Sequence, residues 1–135
     1  MRLFPGKRPA NLGTKSGKLA PAPRTPNGVS SQADLATDAT HYVAPFSCHG
    51  DPARTWKRLV ELVQSLPGAT IVTKGNTYLH AECESKLLGF VDDLECVLDR
   101  RRDVIHVRSA ARLGIRDFGV NLARVEKLRS KLGGK

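Results

Sequence analysis

The first part of this chain has no acidic residues. Up to Asn27 there is no aspartate or glutamate, while Arg2, Lys7, Arg8, Lys15, Lys18 and Arg24 all fall there. Six of the 22 basic residues therefore lie in one acid-free segment, and the other 16 face all 13 acidic residues. The net charge of +9 belongs mainly to that segment, so charge does not mark the rest as a nucleic-acid binder. Aromatic residues are also scarce, at 5%, and the interleaved surface aromatics of a single-strand binder are missing. Cys48, Cys83 and Cys96 are an odd number without CxxC spacing. That excludes a disulfide framework or zinc ribbon and predicts buried free thiols in a reducing compartment. No apolar run approaches the ~20 residues of a membrane span, and Met1–Lys7 lacks the apolar centre of a signal peptide. GxSxG and HExxH are missing, and no cysteine is paired by spacing with a histidine. These absences predict a soluble cytoplasmic protein with no cofactor and no nucleic-acid partner, and they name no reaction.

What is present divides into two parts. Residues 1–25 are rich in Pro, Gly, Lys and Ser with few apolar residues, too little to offset the entropy of ordering them. They read as a flexible basic arm. Residues 26–135 read as one domain, starting with an irregular segment from Val29 to Phe46. A helix follows: Asp51 caps it, Pro52 suits its first position, Trp56, Leu59, Val60 and Val63 share a face, and Pro67-Gly68 stops it. Four strands come next, at Thr70–Thr73, Thr77–Glu84, Phe90–Leu98 and Val104–Ala110, the first two turning at Gly75-Asn76. A second helix runs from Gly119 to Leu132, with Asn121, Val125 and Leu128 on one face and Gly133 at its C-terminal cap. This order predicts an α+β fold, a two-layer sandwich of a four-stranded antiparallel meander with both helices on one face.

Side chains alternate along a strand, which sorts the polar residues. Tyr78, His80, Glu82, Asp93, Glu95, His106 and Arg108 fall on the face away from the core. A one-residue slip would invert every side chain, so the pattern restricts the register. The short loop after the third strand pairs Leu98 with Ile105, Val97 with His106 and Glu95 with Arg108. An allowed register of the preceding pair sets Glu82 against Asp93 and His80 against Glu95. Opposed carboxylates repel unless a cation or proton lies between them. Three readings of this face are open: a solvated surface of ion pairs, a docking surface under Val29–Phe46, or a site. Asp92 is different, because alternation puts it on the apolar side beside Phe90 and Leu94. There it needs a partner or a bulge, and Arg112 and Asn121 are candidates.

Several segments resemble the family called domain of unknown function 1499. They are Tyr78-Leu79-His80-Ala81-Glu82, Phe90-Val91-Asp92-Asp93-Leu94-Glu95, Val107-Arg108-Ser109-Ala110-Ala111-Arg112 and Phe118-Gly119-Val120-Asn121, with Asn27–Ser31 and His41–Phe46. The likeness runs from about Pro26 to Leu132 and departs at Ala111, where Ser is common, and at Leu122, where Arg is. It implies polar residues of note around this sheet and supplies no activity. Function is then expected to be non-enzymatic binding of a small ligand or a protein through the polar face and the Asp92/Arg112 region. The alternative is a small acid–base or metal-dependent hydrolase using Glu82, Asp93, Glu95 and a histidine.

Overall fold

The computed structural model describes residues 4–86, 88–114 and 117–133. Among them the elements run β1 (Gly28–Ser30), β2 (Phe46–Ser47), α1 (Pro52–Gln64), β3 (Ala69–Lys74), β4 (Tyr78–Glu84), β5 (Val91–Asp99), β6 (Val104–Ala111) and α2 (Val120–Leu132). The fold is α+β, with an antiparallel sheet and two helices. The sheet has six strands rather than the expected four. The meander β3–β4–β5–β6 is as expected, and the segment expected to be irregular adds β1 and β2, which both pair with β6. Strands of three and two residues are too short for alternation to reveal. They form because β6 is long enough to offer one edge to both, Gly28–Ser30 against Ala110–Arg108 and Phe46–Ser47 against Ile105–Val104.

The expected registers are all present. Leu98 pairs with Ile105, Val97 with His106 and Glu95 with Arg108, while Glu82 pairs with Asp93 and His80 with Glu95. This follows from the apolar face, where Leu79, Ala81, Leu94, Cys96, Ile105 and Val107 are buried with Trp56, Leu59 and Val63 of α1 and Val125 and Leu128 of α2. A one-residue slip would drive polar side chains into that core. Asp51 accepts a hydrogen bond from the Arg54 backbone N–H at 3.2 Å, as its capping position predicts. The Trp56 indole donates to the Gly75 carbonyl at 3.1 Å, tying α1 to the β3–β4 turn. Cys48, Cys83 and Cys96 are free and buried.

The turn from α1 into β3 depends on one glycine. Gly68 has φ +79°, and a Cβ built on it would lie 2.3 Å from the Glu84 carbonyl oxygen. Gly68→Ala combines left-handed strain with a backbone clash, so it should cost more than about 2 kcal/mol. Urea denaturation checks this; a midpoint within error of the parent would contradict it.

Candidate functional site

The outward sheet face is not solvated, and Val29–Phe46 meets it at the His106 edge, through Ser31. The acid-free N-terminal segment lies along it. The Phe4 N–H donates to the Leu88 carbonyl at 3.1 Å, and the Phe4 ring stacks on Phe90 with centroids 5.4 Å apart. Arg8 reaches Glu82, with Nε at 2.8 Å and Nη2 at 2.7 Å from the same oxygen, Oε2. The Gly13 N–H donates to Glu95 Oε2 at 2.8 Å and faces the Tyr78 hydroxyl at 3.1 Å. Lys15 and Lys18 exchange backbone hydrogen bonds in a tight turn, and Leu19 beyond it is buried. The Pro21 carbonyl then accepts a bond from Arg108 Nε at 3.1 Å. Arg2 of the same segment lies outside the described residues.

Beneath the segment lies a buried charge cluster. Arg112 donates to Asp93 through Nε (2.7 Å) and Nη2 (2.8 Å), and its Nη2 also reaches Glu82 Oε2 at 2.6 Å. His80 Nε2 is 2.7 Å from Asp93 Oδ1. The fork of the guanidinium matches a carboxylate edge, so Asp93 is held in a fixed orientation. The repulsion expected between the opposed Glu82 and Asp93 is thus relieved by a protein cation between them. Burial pushes both carboxyls up, but the bonds from Arg112, with Arg8 on Glu82 and His80 on Asp93, outweigh it. Asp93 is held below its ordinary range and Glu82 is brought to about 2. Asp93 in turn raises Arg112 above its usual value.

A second group lies along the same face. Tyr78 donates to Glu95 Oε2 at 2.5 Å, and burial together with that carboxylate raises the phenol. Arg108 Nη1 is 3.7 Å from Glu95 Oε1, and burial lowers the guanidinium. Glu95 is 0% exposed, and its Oε1 has no hydrogen-bond partner among the described residues. His106 lies at the rim, with Nδ1 3.1 Å from the Ser31 hydroxyl, and burial lowers it.

Asp92 points to the helix face as expected, but neither expected residue is its direct partner. Arg112 lies on the opposite face, since residues 106, 108, 110 and 112 share one side of β6 and its continuation. Asp92 pairs with Arg124 of α2 at 2.9 Å. Arg124 Nη1 also donates to Ser109 Oγ (3.0 Å) and to Asn121 Oδ1 (2.8 Å), so Asn121 belongs to the network at one remove. Asn121 Nδ2 bonds Asp117, whose carboxylate also accepts the Gly119 and Asn121 backbone N–H groups at the start of α2. Burial raises the Asp92 carboxyl despite Arg124. This cluster ties α2 to the sheet.

The structure thus brings together Tyr78, His80, Glu82, Asp93, Glu95, Arg108 and Arg112, with His106 at the edge, and sets Asp92 and Asn121 apart. Sequence reasoning did not include Arg8, Gly13, Arg124 and Asp117. Asp117 was legible as an acidic residue just before a helix, and Arg124 as the basic residue one turn after Asn121. Arg8 and Gly13 carry no local signal. One oxygen or nitrogen from each of His80, Glu82 and Asp93 lies within 4.8 Å of the others, which suits a divalent cation. The Arg112 guanidinium already bridges both carboxylates there, so a cation would have to displace it.

The family model described as protein of unknown function (DUF1499) matches residues 18–132. The chain belongs to this family. No curated protein and no solved structure matches it. Within the DUF1499 match lie all the sheet residues of the candidate site, whereas residues 4–17, which supply Arg8 and Gly13, precede it. No helix among the described residues is long and apolar enough to cross a membrane.

Proposed function

We propose that this chain is a non-enzymatic binding module whose recognition surface is the polar sheet face, with residues 4–21 as its resident occupant. The observation that carries this reading is the way the segment is held. Among its described contacts on the polar face, it is anchored by one guanidinium on Glu82, one backbone N–H on Glu95 and one backbone carbonyl under Arg108. Main-chain anchors with a single specific side chain are how extended peptides are recognised. The Arg112 half of the expected Asp92/Arg112 region belongs to this face, and the Asp92 half is a structural tie. The hydrolase alternative draws on Glu82, Asp93, Glu95 and His80, but Arg112 occupies the position a catalytic cation would take.

Arg8 has a side chain 56% exposed, so Arg8→Ala should change global stability by less than about 1 kcal/mol. It should nevertheless speed tryptic cleavage at Lys15 and Lys18 several-fold, because the segment leaves the face more often. Unchanged cleavage, or collapse of the whole domain, would contradict the reading.

A further inference from the structure

We infer that the polar face selects a guanidinium: its ligand is an arginine carried on an extended, acid-free peptide segment, and residues 4–21 are an exchangeable stand-in for it. The inference rests on the binding-module reading above.

Two guanidiniums meet on one oxygen, Glu82 Oε2, and they are not equivalent. Arg112 has a side chain 4% exposed and is tied to two carboxylates. Arg8 is largely solvated, and among the described residues its ion pair is with Glu82. Arg112 is therefore built into the site, and Arg8 is the removable partner. Arg8 sets Nε and Nη2 of one planar edge against Glu82 Oε2, where a lysine ammonium would offer a single point contact. Charge points the same way. Glu82, Asp93 and Glu95 lie together beneath the segment, so an acidic residue on it would be repelled.

Five residues after Arg8, the Gly13 anchor is a backbone N–H, which any residue but proline supplies. The resident segment leaves one acceptor on the same carboxylate unused. Glu95 Oε2 receives Gly13 and Tyr78, but the buried Oε1 receives no hydrogen bond from any described residue. Arg108 Nη1 stands 3.7 Å from that oxygen, an ion pair beyond hydrogen-bond length, so a segment bringing a donor to Oε1 would complete the carboxylate's bonding. The resident Arg8 and Gly13 lie outside the DUF1499 match, and their partners Tyr78, Glu82 and Glu95 lie inside it.

The test uses the full-length chain. Its Arg8→Ala variant, labelled with 15N, is titrated with a synthetic peptide of residues 4–21 and with the same peptide carrying lysine in place of Arg8. The arginine peptide should move the amide resonances of Tyr78 and Glu95. It should bind the variant at least about tenfold more tightly than it binds the parent chain, where the tethered segment competes. The lysine peptide should bind on the order of tenfold more weakly than the arginine peptide. Equal binding of the two peptides would overturn the guanidinium assignment and leave the binding module standing. No binding of either peptide would overturn both. Resonance shifts produced by Zn2+ or Mg2+ but not by peptide would overturn the assignment in favour of a metal site.

Discussion

Replacing Arg112 with methionine should cost about 3–5 kcal/mol, the loss associated with removing one partner of a buried ion pair. Arg112 holds Glu82 and Asp93 together through three short bonds. Methionine keeps much of the side chain's bulk and removes all three. Two adjacent carboxylates would then share a buried site without the cation that bridges them, Arg8 remaining on Glu82 and His80 on Asp93. The loss should depend on pH in a defined direction. In the parent chain both carboxyls lie below their ordinary values, so their stabilisation is full above about pH 4.5 and fades as pH falls towards about 2. In Arg112→Met both carboxyls should rise, so the variant gains from protonation where the parent loses. The gap between the two, measured by urea denaturation, should narrow steadily below pH 5. A constant gap from pH 7 to pH 4 would mean that the loss comes from packing rather than charge.

The second expected result sets neighbours in β5 against each other. Asp93→Asn should cost about 3 kcal/mol, because it takes charge from a carboxylate that accepts two bonds from Arg112 and one from His80. Asp92→Asn should cost under about 1 kcal/mol, because asparagine still accepts from Arg124 and the burial penalty on the charge disappears. The directions of the two carboxyls support this contrast. Asp93 is lowered in the folded state, so it stabilises above its ordinary value of 3.8, and the benefit is lost as pH falls. Asp92 is raised, so its ionised form weighs against folding at neutral pH, and protonation relieves that as pH drops. The deficit of Asp93→Asn should therefore shrink in acid, and Asp92→Asn should remove a term that favours the parent there. Equal losses at pH 7 would contradict the assignment of the two residues to different environments.

That contrast also marks how far the sequence could be read. Alternation placed Asp92 and Asp93 on opposite faces, and the apolar pattern restricted the pairings of β4, β5 and β6 to registers of one parity, since a one-residue slip buries charge. The same rule carried two residues further would have put Arg112 with Asp93, because it shares parity with Arg108. Strands β1 and β2 were beyond reach because two or three residues hold no period. They exist because β6 offers them an edge. The covering segment was illegible for another reason. Among the described residues its holds on the polar face include a glycine N–H, a proline carbonyl and one arginine, and backbone groups leave no mark on a side-chain pattern. Its composition, poor in apolar residues, argued for a free arm.

The central claim is that residues 4–21 occupy a preformed face rather than complete the fold. Native-state hydrogen exchange on the full chain tests it most directly, comparing the Gly13 amide with those of Leu94 and Cys96 in β5. Gly13 should be protected, since its N–H is bonded to a buried carboxylate, yet it should open locally, at a free energy well below that of β5 and insensitive to denaturant. If Gly13 exchanges only with global unfolding, at the free energy of Leu94 and Cys96, the segment is part of the fold and the claim fails.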